Sequence, residues 1–125
     1  MTSEPLEMVA ETVPSSVARI RHFAVDACRA NGSQVDADVV ALLVSELATN
    51  ALIHGSGDVR VRVLVTGPGV RIEVLDGSDR QPTLNPAGED AEGGRGITLV
   101  DALSSAWGTE PTERGKKVWF ELAAE

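Results

Sequence analysis

The hydrophobic period of this chain changes at Gly57, from about 3.6 residues to about 2. Beyond it Val59, Val61, Val63 and Val65 alternate with Arg60, Arg62 and Leu64. Thr66-Gly67-Pro68-Gly69 makes a turn, after which Val70, Ile72 and Val74 alternate with Arg71, Glu73 and Leu75. The pattern predicts an antiparallel hairpin with one apolar face and one largely polar face. Leaving a valine or isoleucine of that apolar face in water forfeits roughly 1.5–3 kcal/mol, so the rest of the chain must cover it.

The cover is predicted on both sides of the hairpin. Pro14-Ser15-Ser16 starts a helix that carries Val17, Ile20, Ala24, Ala27 and Cys28 at helical spacing, and Asn31-Gly32 stops it. A second helix runs from near Asp36 to His54-Gly55, with the glycine placed as a C-terminal cap. A third, from about Gly96 to Ala106, buries Ile97, Val100 and Leu103. The chain closes on a strand, Lys117 to Leu122, with Val118, Phe120 and Leu122 on one face, and residues 6–13 read as a short edge strand. Residues 76–95 have no sustained apolar period and are rich in Gly, Pro and Asp, and long connections of this kind are often functional lids. There is no internal repeat and no second domain. Residues 1–125 are expected to form one two-layer α/β (α+β) sandwich.

Composition excludes several classes of function. The net charge of −8, with only Arg60, Arg62 and Arg71 as a local basic cluster, argues against binding a nucleic-acid backbone. The single cysteine, Cys28, permits no internal disulfide and sits in an apolar-periodic stretch, as a core filler does. No segment approaches the roughly 18 apolar residues of a membrane span, and the acidic N-terminus lacks a signal-peptide charge pattern. A soluble, cytoplasmic protein is expected.

Chemistry is suggested where polar residues interrupt apolar ones. In VVALLVSELATNALIHG, Glu46, Asn50 and His54 form one stripe flanked by Val39, Leu42, Leu43, Leu47 and Ile53. Burying such groups without partners costs a few kcal/mol each. A stripe bordering a polar cavity, where a ligand supplies the partners, escapes that cost. E-x-x-x-N by itself is also met by chance as a helical polar pair; its placement on an apolar face favours the cavity. His54 could touch a phosphate, or simply be a cation at a helix C-terminus. Asp76 ends the second hairpin strand, where its carboxylate could accept from an exocyclic amine or cap a turn with Gly77 and Ser78. Gly93-Gly94-Arg95-Gly96 leads into a helix; it could be a plain loop ending, or backbone amides that attract phosphate with Arg95 adding charge. Trp107 and Trp119 read as packing residues, and two histidines and one cysteine at unrelated spacings make no zinc site.

Taken in order, SELATNALIHG, VLDGSDRQP, GGRGITLVDALSSAWG and GKKVWFEL resemble the GHKL (Bergerat-fold) ATPases. More closely they look like the small anti-sigma factor serine kinases and their actinobacterial relatives, over about residues 10–123. The resemblance implies a mostly antiparallel mixed sheet with three helices on one face and an ATP lid at 79–95. It implies ATP and Mg²⁺ as cofactors. Asn50 would hold the Mg²⁺, Glu46 would be the general base, and Asp76 would recognise the adenine amino group. Gly94 and Gly96 would bring backbone close to the phosphates, with Arg95 between them; the resemblance assigns no role to His54, which stays a candidate ATP contact through its place on the stripe. Phosphoryl transfer needs chiefly charge neutralisation and alignment, which such a set supplies.

Two departures from the family pattern stand out. Its D-x-G-x-G reads Asp76-Gly77-Ser78-Asp79-Arg80, so both expected glycines are missing. The closing strand reads Gly115-Lys116-Lys117 where many members have Gly-Thr, which removes a threonine contact near the base. The implied function is a serine/threonine protein kinase that sequesters a sigma factor and phosphorylates a STAS anti-anti-sigma partner, with homodimers common among relatives. The alternative is a catalytically weak ATP-binding regulatory module that acts by sequestration, and the detached ATPase part of a sensor histidine kinase ranks last.

Overall fold

The computed structural model describes residues 4–54, 57–77 and 94–124, the side chains of 54 and 94–96 excepted. Its elements are β1 (Leu6–Ala10), α1 (Ser16–Ala30), α2 (Ala37–His54), β2 (Val59–Thr66), β3 (Gly69–Asp76), α3 (Gly94–Leu103), β4 (Ala106–Thr112) and β5 (Gly115–Leu122). The strands form one sheet in the order β1-β2-β3-β5-β4. Every pairing among them is antiparallel, so the mixed sheet implied by the resemblance is antiparallel throughout the described strands.

The predicted hairpin is present with its register intact. Thr66 pairs with Gly69, which leaves Gly67-Pro68 in the turn. Gly67 has φ 65°, a value that hairpin turns with glycine at their first central position require and side chains resist. Val61, Ile72 and Phe120 lie on the inner face and are at most 1% exposed. Over them pack Ile20 and Ala24 of α1, Val40, Leu43 and Val44 of α2, and Ile97 and Val100 of α3. The result is the two-layer sandwich that the periodicity demands.

Local chemistry fixes the helix starts. Asp36 Oδ1 accepts from the amides of Asp38 at 2.8 Å and Val39 at 3.3 Å, an N-cap for α2. At α1 the Ser15 side chain makes no cap bond. Instead the fully buried Ser16 hydroxyl donates to the Glu11 carbonyl at 2.6 Å, tying the helix start to the preceding turn.

On the outer face of the sheet the basic cluster is neutralised. Arg60 lies 3.5 Å from Glu7 and Arg62 lies 3.2 Å from Glu73. Arg71 reaches Glu73 and Glu121, each at 3.0 Å, and its guanidinium stacks 4.0 Å from the Trp119 ring centroid. Burial alone would lower the Arg71 pKa, but the two carboxylates outweigh it and hold the pKa above its ordinary value. Trp119 is thus a cation–π partner on the outer face rather than a core residue. Gly108 lies opposite it, and a Cβ there would sit 2.7 Å from the ring.

The third helix and the strand after it differ from expectation. The third helix starts at Gly94 and ends at Leu103, so it begins and finishes earlier than predicted. Leu103 is 44% exposed instead of buried. The Ser105 amide donates to the Glu121 carbonyl at 2.9 Å, which draws the chain into the sheet directly after it. The following strand, β4, has no counterpart in the periodicity. It is an edge strand containing Gly108 and Pro111, the place where a sheet tolerates proline.

Candidate functional site

The arc of α2 turned to the core is centred on Val40, Val44, Leu47 and Ala51, none more than 2% exposed. Asn50 lies at the border of that arc, 6% exposed, and Glu46 one turn earlier is half-buried. Beyond them Leu42 and Ile53 are 40% and 42% exposed. The polar stripe therefore runs along the rim of the buried face, not through its centre. From the rim, an amide and a carboxylate can serve a ligand and still reach solvent. The side chain of His54 lies outside the described residues.

Asp76 is the last residue of β3 and continues the inner-face series of Ile72 and Val74. Its side chain is 2% exposed, and Oδ2 lies 3.8 Å from Nζ of Lys116, itself 1% exposed. The two residues are direct cross-strand partners of β3 and β5. Gly115, the first residue of β5, presses against the same point: a Cβ there would fall 2.1 Å from the Asp76 carbonyl oxygen. Sequence reading missed Lys116 as a site residue. The signal was present, because Lys116 shares the alternation of Val118, Phe120 and Leu122, which places it on the core face.

Connectivity brings the end of α2 toward the Asp76 end of the sheet. Four residues link the end of α2 to Val59, and at most about 18 Å separates helix end from strand start. Arg60 pairs with Leu75, so the Asp76 end of β3 lies beside the start of β2. α2 packs against both β3, which carries Asp76, and α3. Gly94, Arg95 and Gly96 form the first turn of α3, whose unpaired backbone amides favour an anion. The last two residues expected in the lid, Gly94 and Arg95, are thus helical. The Arg95 side chain and residues 78–93, which hold the rest of the lid, lie outside the described residues.

Among the described residues there is no group of three or more His, Cys, Asp or Glu able to hold a metal. A Zn²⁺ or Ca²⁺ cage is therefore not built from them. An Asn50 amide oxygen completed by water and phosphate oxygens is the donor set that Mg²⁺ takes in nucleotide sites, so the residues fit that ion. Cys28 is 3% exposed, and burial pushes its thiol up to about 11, which leaves it protonated and unsuited to nucleophilic work. No helix among the described residues is long and apolar enough to cross a membrane.

The family model for the histidine kinase-like ATPase domain matches residues 10–122. The chain is 38% identical over 88 residues to the uncharacterised protein SCO4941 of Streptomyces coelicolor, a match covering 66% of this chain and 83% of that one. Among solved structures, it superposes on the RsbU and RsbW domains of Rv1364c from Mycobacterium tuberculosis with TM-score 0.64 at 19% identity, covering 98% of this chain and 34% of that chain. It also superposes on the histidine kinase domain of the Erythrobacter litoralis EL346 blue-light activated histidine kinase with TM-score 0.54 at 26% identity, covering 86% of this chain and 59% of that one. The chain thus spans about a third of the first of these structures, and that likeness is one of fold. The chain belongs to the histidine kinase-like ATPase domain family, with the GHKL-type fold.

Proposed function

We propose that this domain binds Mg²⁺-ATP and transfers a phosphoryl group to a serine of a partner protein, as an anti-sigma factor-type serine/threonine kinase. The single observation that carries this is the rim position of Asn50 and Glu46 on α2, the helix packed against the strand that ends in Asp76. Asn50 would hold the metal through its amide oxygen, and the metal would supply charge neutralisation at the phosphates. Asp76 would accept from the base. Glu46, a turn from Asn50 and reachable from solvent, would accept the proton of an incoming serine hydroxyl. The partners in this reading are a sigma factor held by sequestration and a STAS anti-anti-sigma protein as acceptor. Support for them comes from the sequence resemblance, with the RsbW-containing structure sharing the fold.

The test is incubation of the full chain with Mg²⁺-ATP and candidate STAS proteins. Phosphoserine on one of them is expected, lost in Glu46→Ala with ATP binding retained, whereas Asn50→Ala impairs both. Full transfer by Glu46→Ala would remove the base from the mechanism. A second reading, an ATP-binding regulator that only sequesters, is supported by the engagement of Asp76 with Lys116 and the missing glycines after it. Tight partner binding without transfer, unchanged by Glu46→Ala, would select it.

A further inference from the structure

Lys116 heads the fully buried side chains of the described residues by size, at 1% exposure. An ammonium is costly to place in such a position, and no step of the proposed transfer uses it. Its Nζ stands 3.8 Å from Asp76 Oδ2, beyond hydrogen-bond length, so the two act on each other as charges. Side by side they form an acceptor-only carboxylate and a donor-only ammonium, at the point where the base would lie.

We propose that Lys116 sets base selectivity, making the site accept guanine as well as adenine. This rests on the nucleotide-binding reading of Asp76. Adenine carries an amino donor at C6 beside the ring acceptor N1; guanine carries the oxygen acceptor O6 beside the ring donor N1–H. Against a lone carboxylate, adenine offers its amine, while guanine in the same pose sets O6 against another acceptor. With the ammonium beside the carboxylate, O6 accepts from Lys116 and N1–H donates to Asp76. Adenine keeps its amine on Asp76, and N7, the ring acceptor on the other side of C6, accepts from Lys116 or from a water in its place. A shift of the base along its edge by one hydrogen-bonding position exchanges the two arrangements, because the donor and acceptor are neighbours on adjacent strands.

The experiment is titration of the full chain with Mg²⁺-ATP, Mg²⁺-GTP and Mg²⁺-ITP by calorimetry, repeated on Lys116→Thr and Lys116→Met. The wild type is expected to bind GTP and ITP within about tenfold of ATP. A hydrogen bond to a charged group predicts that either variant loses roughly 10–100-fold more affinity for GTP than for ATP. ITP, which shares O6 but lacks the guanine amine, should follow GTP. A wild type that binds ATP and rejects GTP and ITP by over about a hundredfold overturns the inference without any variant having to fold. Equal losses for ATP and GTP in the variants overturn it too, leaving Lys116 a support for Asp76. Absence of binding by all three nucleotides overturns the nucleotide site itself.

Discussion

Replacing Lys116 by methionine should destabilise the fold far more than replacing Lys116 and Asp76 together. The lysine side chain is 1% exposed and the aspartate 2%, 3.8 Å apart, so Lys116→Met leaves a carboxylate in a site almost closed to water. Breaking a buried pair by removing one partner costs about 3–5 kcal/mol. That is a large fraction of the roughly 5–15 kcal/mol that holds a domain folded. Asp76→Asn strands the ammonium instead and should cost a similar amount. The double variant Asp76→Asn/Lys116→Met removes both charges and keeps the volumes, so it should return to within about 2 kcal/mol of the wild type. Urea unfolding followed by circular dichroism measures all four proteins. With a slope of about 1–3 kcal/mol per molar, each single variant moves the midpoint by one molar or more. Single-variant losses that simply add in the double variant would refute the coupled buried pair.

Two further perturbations probe the core and the site's edge. Cys28 has its pKa raised by burial from 9.0 to about 11, so the folded state favours the thiol. Its contribution is complete below pH 9, where both states are protonated, and is lost as pH rises toward 11, a fall of about 3 kcal/mol. Cys28→Ala should flatten that alkaline slope in pH-dependent urea unfolding, and an unchanged slope would contradict the burial account. At Gly115 the Cβ of alanine would stand 2.1 Å from the Asp76 carbonyl oxygen and 2.6 Å from the Gly77 carbonyl carbon, both of them backbone. Gly115→Ala should therefore cost about 2–4 kcal/mol and displace Asp76, read as a lower urea midpoint and a weaker response to ATP.

What could be read from the chain follows from which forces leave a periodic trace. The β2–β3 hairpin declares itself because one face is buried and the other is not, and register follows from the two-residue turn at Gly67-Pro68. β4 leaves no trace: as an edge strand with half-exposed or exposed residues throughout, it has no face that must be apolar. The stripe on α2 was correctly seen as polar but misplaced, because valine, leucine and isoleucine surround that helix and periodicity cannot choose the arc that meets the sheet. Only packing shows Leu42 and Ile53 turned outward and Asn50 at the border. Lys116 registers in the sequence only as a missing threonine, because a lysine is ordinarily solvated and its burial depends on Asp76, forty residues earlier in the chain. Leu103 erred the other way: its helical spacing is sound, but the chain leaves for the sheet before that turn is covered.

The central claim is a Mg²⁺-ATP site between Asn50 on α2 and Asp76 on β3, and thermal unfolding of the full chain with and without the nucleotide tests it most directly. At about 100 times Kd, binding should stabilise the wild type by about 2.7 kcal/mol, and the resulting rise in Tm should require Mg²⁺. Asn50→Ala should abolish the Mg²⁺ requirement together with most of the rise. An unchanged Tm of the wild type at millimolar Mg²⁺-ATP, or an equal rise in wild type and Asn50→Ala, would contradict the account.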